Sequence, residues 1–323
     1  MINRRQLMTM SAAMLAPSLM TSAGAQTWPA RPVRLIVPYA AGGPTDAVGR
    51  LVGDALSKIW GQQLVVENKG GAGTNIGAEL VARSDADGYT ILMGSAALAV
   101  NRNLYKSLNY DAVVDFAPVS RLCNFAFFLF VPASLPAKTV KEFIAYAKAN
   151  KGKIAYASPG PGSPPHLGGE LFKSMTGIEM THVPYRGAAP AFNDLIAGRI
   201  DFFFTSGASL EHAKGGKVRV IAFGGATRST AAPEIPTVAE AGVPGYELSS
   251  WYALFVPAQT PRAIVDKINA DTLNALAEPG TRARLEQLGY DVGGSTPQEL
   301  ATLLKSDIDK WGPLIKAANI KPE

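Results

Sequence analysis

The chain of 323 residues carries 31 Lys and Arg against 26 Asp and Glu, a formal charge of +5, with 47% hydrophobic residues and one cysteine. That length and apolar content suit two domains with sizeable cores. The charge is mild and no basic stripe with interleaved aromatics accompanies it, which argues against a nucleic-acid partner; a lone thiol excludes an internal disulfide.

Arg4 and Arg5 precede an uncharged stretch from Gln6 to Ala25, and Ala23-Gly24-Ala25 offers a small-residue cleavage site. This is the layout of a secretory signal peptide over residues 1–25, which predicts export and a mature chain starting at Gln26. Asn3 to Met8 also resembles a twin-arginine signal, so both export routes stay open. Thr9, Ser11, Pro17, Ser18, Thr21 and Ser22 interrupt the apolar run and disfavour a membrane anchor; no mature stretch approaches the ~20 apolar residues of a span. Removing Arg4 and Arg5 from the 31 basic residues leaves 29 against 26 acidic ones. Cys123, among Leu122 to Phe130, reads as a buried structural residue.

Strand and helix signals then alternate. Val33 to Val37 is a short strand run, Gly42-Gly43-Pro44 breaks it, and Val48, Leu51/Val52, Ala55/Leu56 and Ile59 repeat at helical spacing. Gln63 to Glu67 predicts a second strand, Gly70, Gly71 and Gly73 a loop, Ile76 to Ala82 a helix, and Tyr89 to Gly94 a third strand. This βαβαβ order predicts a mostly parallel sheet. A second unit begins near Phe125, with strands at Phe127–Val131, Lys153–Ser158, His182–Pro184, Asp201–Thr205 and Val218–Phe223. Its helices are predicted at Thr139–Ala149, Pro165–Met175 and Pro190–Ala197. Phe130 to Pro136 is echoed by Phe255 to Pro261, and each copy leads into an amphipathic helix. The chain is therefore expected to cross between domains near each copy. The expected organisation is residues 26–124 with 250–323 in one domain and 125–249 in the other, the helices Pro261–Leu276 and Pro297–Lys316 returning to the first.

Two Gly/Pro-rich strand–helix loops are the candidate site. The first is Tyr39-Ala40-Ala41-Gly42-Gly43-Pro44-Thr45-Asp46, where glycines admit close approach and Pro44 suits the first helical position. Free N–H groups at such a helix start attract a carboxylate or phosphate. Thr45 adds a hydroxyl, while Asp46 reads either as a loop-ordering cap or as a ligand contact. The second loop is Ser158 to His166, in the other unit. Its Ser158, Gly160, Gly162, Ser163 and His166 are the candidate contacts. Two helix starts from different domains would then face one ligand at the carboxyl ends of strands.

Enzyme signatures are poor. His166, His182 and His212 lack metal-ligand spacing, no metal or cofactor motif appears, and no G-x-S-x-G elbow is present. Gly71 to Gly77 has the spacing G-x-G-x-x-x-G, one residue too long for a dinucleotide fingerprint. His166 with Glu170 one turn later reads as a weak acid–base pair beside a stronger reading as a helix-start residue.

Several stretches, in order and spacing, resemble the Bug (TctC-like) solute receptors of tripartite tricarboxylate transporter systems. They are Trp28-Pro29 with Arg31-Pro32-Val33, Val37 to Gly43 with Asp46, Glu67 to Gly73, Asn75 to Glu79, Asp87 to Thr90, His166 to Phe172, Val183 to Pro190 and Pro236 to Gly242. The similarity spans essentially the whole mature chain. It implies a two-domain α/β periplasmic binding protein of type II crossover. Such a receptor is monomeric, takes no cofactor, and binds small carboxylates in an interdomain cleft through amides, hydroxyls and waters of two opposed loops. Its partner would be a tripartite membrane permease. The resemblance adds Ser95, Tyr185, Arg186, Gly187 and Ala188 to the expected contacts. After Ser95 this chain departs from the family: Ala96-Ala97-Leu98-Ala99-Val100 replaces a polar run, which argues against a highly hydroxylated ligand.

Three functions remain on the sequence: a receptor delivering an organic acid to a permease, a sensory receptor for the same ligands, and, without a catalytic constellation to support it, an exported enzyme.

Overall fold

The computed structural model describes residues 28–185 and 187–322. The expected signal peptide lies outside the described residues, as does Arg186. In chain order the elements are β1 (Val33–Val37), α1 (Pro44–Trp60), β2 (Leu64–Asn68), α2 (Asn75–Ala82), β3 (Thr90–Ser95), α3 (Ala97–Leu104), β4 (Phe116–Ala126), β5 (Phe128–Pro132), α4 (Val140–Ala149) and β6 (Ala155–Ser158). Then come α5 (Pro164–Thr176), β7 (Thr181–Pro184), α6 (Ala188–Ile196), β8 (Phe202–Thr205), α7 (Leu210–Lys214) and β9 (Val218–Phe223). The chain ends with β10 (Ser249–Pro257), α8 (Arg262–Ala277), α9 (Pro279–Gln287), β11 (Asp291–Val292) and α10 (Pro297–Ala317).

The strands form two sheets, β11-β4-β10-β3-β1-β2 and β7-β6-β8-β5-β9. Their apolar runs are continuous because both faces are covered. Leu35 and Val37 pack under α1, while Ile36 between them joins the opposite core with Leu92 and Phe255. In the second sheet Phe202 and Phe204 point into one core and Phe203 into the other.

The α/β class and the two-domain architecture match the expectation, but the sheets are mixed rather than mostly parallel. Parallel pairing is confined to β2-β1-β3 and to β7-β6-β8. Strands β10, β4, β5 and β9 add antiparallel. The physical reason is the crossing. A strand that enters a sheet from the junction side starts beside the carboxyl ends of the parallel trio and must run against it. Strand β4 passes into β5 across the single residue Phe127, and β10 begins at Ser249. The two crossings are tied together: Gly224 N–H donates to Phe127 O at 2.8 Å and Leu248 N–H to Gly224 O at 2.7 Å. A Cβ on Gly224 would lie 3.1 Å from both Phe127 O and Leu248 O, so the close approach favours glycine there.

Helix α10 starts with a capping box between Thr296 and Glu299. It packs on α3, while Trp311 and Ile315 enter the core that holds Leu167, Tyr246 and Leu248 of the second unit. Lys310 Nζ adds a 3.0 Å bond to Glu247 O.

Candidate functional site

The carboxyl ends of both parallel trios abut the crossings. Ser95, the last residue of β3, lies opposite Tyr252 near the start of β10, and Thr205, ending β8, lies opposite Phe128 at the start of β5. Loops leaving those strand ends therefore gather at the junction of the two units, where ligands of α/β proteins bind.

In the first loop Gly43 is the N-cap of α1 with extended backbone (φ −81°, ψ 172°), and Pro44 occupies the first turn. The Gly42 N–H donates to Asp46 Oδ2 at 2.9 Å, and Ala47 N–H closes onto Gly43 O. The amides of Gly43, Thr45 and Asp46 have no protein acceptor among the described residues. Asp46 itself is buried, at 3% exposure. Its Oδ2 also accepts from Arg50 Nε at 2.9 Å and its Oδ1 from Asn68 Nδ2 at 2.9 Å. Burial alone would raise this carboxyl's pKa; the hydrogen bonds from Arg50, Gly42 and Asn68 outweigh it and hold the group below the usual carboxylate range. Both oxygens are thus engaged, and Asp46 orders the loop. The Tyr39 and Ser95 hydroxyls meet at 2.8 Å, and Ser95 Oγ accepts from Ala97 N–H, so these two residues knit neighbouring loops.

A third loop, which the sequence offered as a turn, a failed dinucleotide fingerprint and a family landmark but not as a ligand contact, borders this side. Residues Gly70, Gly71, Gly73 and Thr74 with Pro38, Tyr39 and Ala40 line a cavity of about 390 Å³, within the range of small-molecule pockets. Ala72 (φ +46°) and Thr74 (φ +84°) hold left-handed backbone that a non-glycine, and above all a β-branched residue, rarely adopts. Asn101 holds them there, its Nδ2 donating to Gly73 O (2.6 Å), Thr74 Oγ1 (3.3 Å) and Asn75 Oδ1 (2.8 Å). Tyr252, opposite Ser95, stands at the same strand end and was not among the expected contacts. Its ring lies 4.8 Å from Phe125 and 5.8 Å from Tyr290, and burial raises its hydroxyl pKa well above the usual value. The sequence signal was an aromatic with a polar tip at the start of a crossing strand.

The second loop differs from the expected amide cradle. Pro159, Pro161, Pro164 and Pro165 have no N–H to give. Three of the other amides are taken within the protein: Gly160 by Ser158 Oγ (3.1 Å), Gly162 by His166 Nδ1 (3.0 Å) and Ser163 by Gly160 O (3.3 Å), which leaves the His166 amide unclaimed at the helix start. Ser163 Oγ also donates to Gly160 O at 2.6 Å. Ser158 is fully buried and pairs with His182 Nε2 at 2.7 Å. His166 stacks on His182 with centroids 3.8 Å apart, and burial together with His182 lowers its pKa to about 4. The polar side chains of Asp46, Ser158 and His166 thus have partners within the protein and order the two loops.

Tyr185 donates to Asp194 Oδ2 at 2.8 Å, and burial first, then Asp194, pushes its pKa up to about 12. Gly187 (φ +111°) caps α6, whose first residue is Ala188. Of the stretch after Ser95, Leu98 and Ala99 pack into the first unit's core and Val100 into the core that α10 bridges; Ala97 is half-buried at the helix start. Gly162 is where the second loop meets the first unit, since a Cβ there would collide with Leu104 Cδ2. Among the described residues no group of His, Cys, Asp and Glu is placed to hold a metal ion, and no helix is long and apolar enough to cross a membrane.

Two α/β units joined by paired crossings, with strand-end loops gathered at the junction, define a binding protein of the periplasmic type. The chain belongs to the tripartite tricarboxylate transporter receptor family (TctC), whose model matches residues 48–320. Among solved structures it is similar to Rpa4515 of R. palustris with adipate: 37% identity, TM-score 0.79, covering 92% of this chain and 100% of that one. It is likewise similar to the periplasmic binding protein BugD (34%, TM-score 0.76, 92% and 100%) and to MatC of Rhodopseudomonas palustris with bound malate (32%, TM-score 0.74, 89% and 99%).

Proposed function

We propose that this receptor works outside the cytoplasm, captures a small organic carboxylate between its two domains, and presents it to a tripartite-type membrane permease without chemical change. The observation that carries the reading is the first loop: a helix start with three unclaimed amides, held open by a buried aspartate. Similar receptors solved with adipate and malate support the ligand class. The domains proposed are residues up to Ala126 with those from Ser249 onward, and the segment between; export follows the signal peptide, and the working unit is a monomer. Contacts are assigned to Tyr39, Ala40, Ala41, Gly42, Gly43, Thr45 and Ser95 on one side. On the other they are Gly160, Gly162, Ser163 and the Tyr185–Ala188 turn. His166 and His182 are engaged with Gly162 and Ser158, which supports binding over catalysis.

A thermal-shift screen of mono-, di- and tricarboxylates tests this. An acid at 100 times its dissociation constant adds about 2.7 kcal/mol of stability. No shift with any acid, and a shift with a nucleotide, would overturn the receptor reading.

A further inference from the structure

We infer that the Tyr252 hydroxyl is a ligand contact, donating to the carboxylate held at the start of α1 beside Thr45. This rests on the receptor reading above and deepens it, by naming a specificity-determining residue on the strand that crosses between the domains. A buried phenol normally finds a partner for its hydroxyl; where none exists, phenylalanine packs as well without the polar cost. Among the described residues four tyrosines are buried: Tyr110, Tyr156, Tyr246 and Tyr252. The first three donate inside the protein, to Asn75 Oδ1 (2.7 Å), to Glu170 Oε1 and to Gly168 O (2.9 Å). Tyr252 is 7% exposed, yet its hydroxyl has no such partner. Nor is that hydroxyl sealed in: among the described residues, the side-chain polar atom that is both fully enclosed and unpaired is Trp28 Nε1. The Tyr252 oxygen therefore keeps a path to solvent.

Its position says what it would meet. Tyr252 lies opposite Ser95, at the carboxyl end of β3, and shares the core beneath α1 with Val48 and Val52. Thr45, the second residue of α1, turns its hydroxyl toward that of Tyr252. Thr45 is 3% exposed, and its hydroxyl too has no hydrogen-bond partner among the described residues. Two unpaired hydroxyls thus sit under the same helix start whose Gly43, Thr45 and Asp46 amides are unclaimed. A carboxylate offers about four acceptor positions. The amides approach it along the helix axis and the hydroxyls from the sheet side, so the two sets address different lone pairs. Tyr39, the neighbouring phenol, is not equivalent, because its hydroxyl is bonded to Ser95. Burial keeps Tyr252 protonated far above neutral pH, so it remains a donor wherever the protein is folded near neutrality.

Titration calorimetry on the purified protein with hexanoate, adipate, benzoate, terephthalate, malate and tricarballylate first picks the acid that binds tightest. Tyr252→Phe should bind that acid about tenfold more weakly, or worse, the loss expected for one hydrogen bond to a charged group. Its melting temperature without acid should stay unchanged or rise, since the hydroxyl removed has no partner in the protein. Tyr290→Phe removes the neighbouring hydroxyl that faces Tyr252 and should bind as the native protein does. Saturating acid should perturb the near-ultraviolet tyrosine absorption of the native protein, and Tyr252→Phe should lose that change. Native affinity in Tyr252→Phe would overturn the inference and leave the receptor reading intact. A lower melting temperature in acid-free Tyr252→Phe would also overturn it, by placing the hydroxyl in a bond within the protein. An equal loss of affinity in Tyr290→Phe would do the same, by tracing the effect to aromatic packing. If none of the six acids bound the native protein, the receptor reading itself would fall, and this assignment with it.

Discussion

Asp46 is the most informative residue to change, because its two possible roles predict opposite outcomes. The residue is 3% exposed, and its carboxylate accepts three hydrogen bonds, each at 2.9 Å, from Gly42 N, Arg50 Nε and Asn68 Nδ2. Arg50 is half exposed, so solvent screens that ion pair and it contributes little. The two remaining bonds run from neutral donors to a buried charge and contribute about 1.5 kcal/mol each. Asp46→Ala should therefore lower stability by about 3 kcal/mol, or about 5 °C in melting temperature for a chain of this length. Asp46→Asn keeps an acceptor for Gly42 and should lose about half as much. Urea unfolding with an unchanged slope would report the stability loss. Calorimetry below the transition should find carboxylate affinity reduced only modestly in Asp46→Asn. Because the folded pKa is depressed, this contribution is present above the ordinary carboxyl pKa and fades as pH falls through the lower folded value. Unchanged melting with binding abolished would show that the carboxylate meets the ligand, and would refute the loop-ordering argument.

Three further outcomes follow from the same geometry. Gly43 has ordinary extended backbone, and a Cβ there meets only Ala40 O at 3.4 Å, so Gly43→Val should fold normally by circular dichroism yet bind no carboxylate, its side chain occupying the approach to the amides. Gly162→Ala meets both a positive φ of +73° and Leu104 Cδ2, and should cost about 1–3 kcal/mol in urea unfolding; Leu104→Ala should recover part of that in the double variant, and strict additivity would argue against the contact. His166 stays neutral in the fold down to about pH 4, whereas its unfolded form takes up a proton near 6.5. Stability should thus fall by roughly 3 kcal/mol as pH drops from about 6.5 to 4, and His166→Gln should flatten that part of the unfolding profile.

Much of the frame was legible in the residues. The Val33 to Val37 strand, the break at Gly42-Gly43-Pro44 and the helix behind it occur as read, since short apolar runs and proline starts are local signals. Strand β4 was not legible. Pro118, Ser120 and Arg121 break the apolar run, and only pairing with β10, through irregularities between Tyr252 and Ala253 and between Leu254 and Phe255, accommodates them. The stretch after Ser95 read as a depleted ligand contact, yet Leu98 to Val100 are core residues of α3; two elements packed on that helix decide this, and neither is adjacent in sequence.

The second loop marks the limit of sequence reasoning more sharply. Its four prolines were visible, and each one already subtracts a donor from the helix start. What residue types do not reveal is where the remaining donors go. The Gly162 amide reaches the His166 ring because the loop turns back over the first helical turn, and Ser158 holds Gly160 because His182, on a neighbouring strand, fixes its hydroxyl. Glycine-rich loops with the same outward appearance therefore divide into two kinds. One leaves its amides unclaimed, as those of Gly43, Thr45 and Asp46 are. The other closes most of them on itself, as Gly160, Gly162 and Ser163 do. Which kind a loop is depends on an acceptor of its own within reach, and here His166 and Ser158 supply that acceptor on one side of the junction only. The difference between the two loops in unclaimed amides is a consequence of those two side chains and of the four prolines.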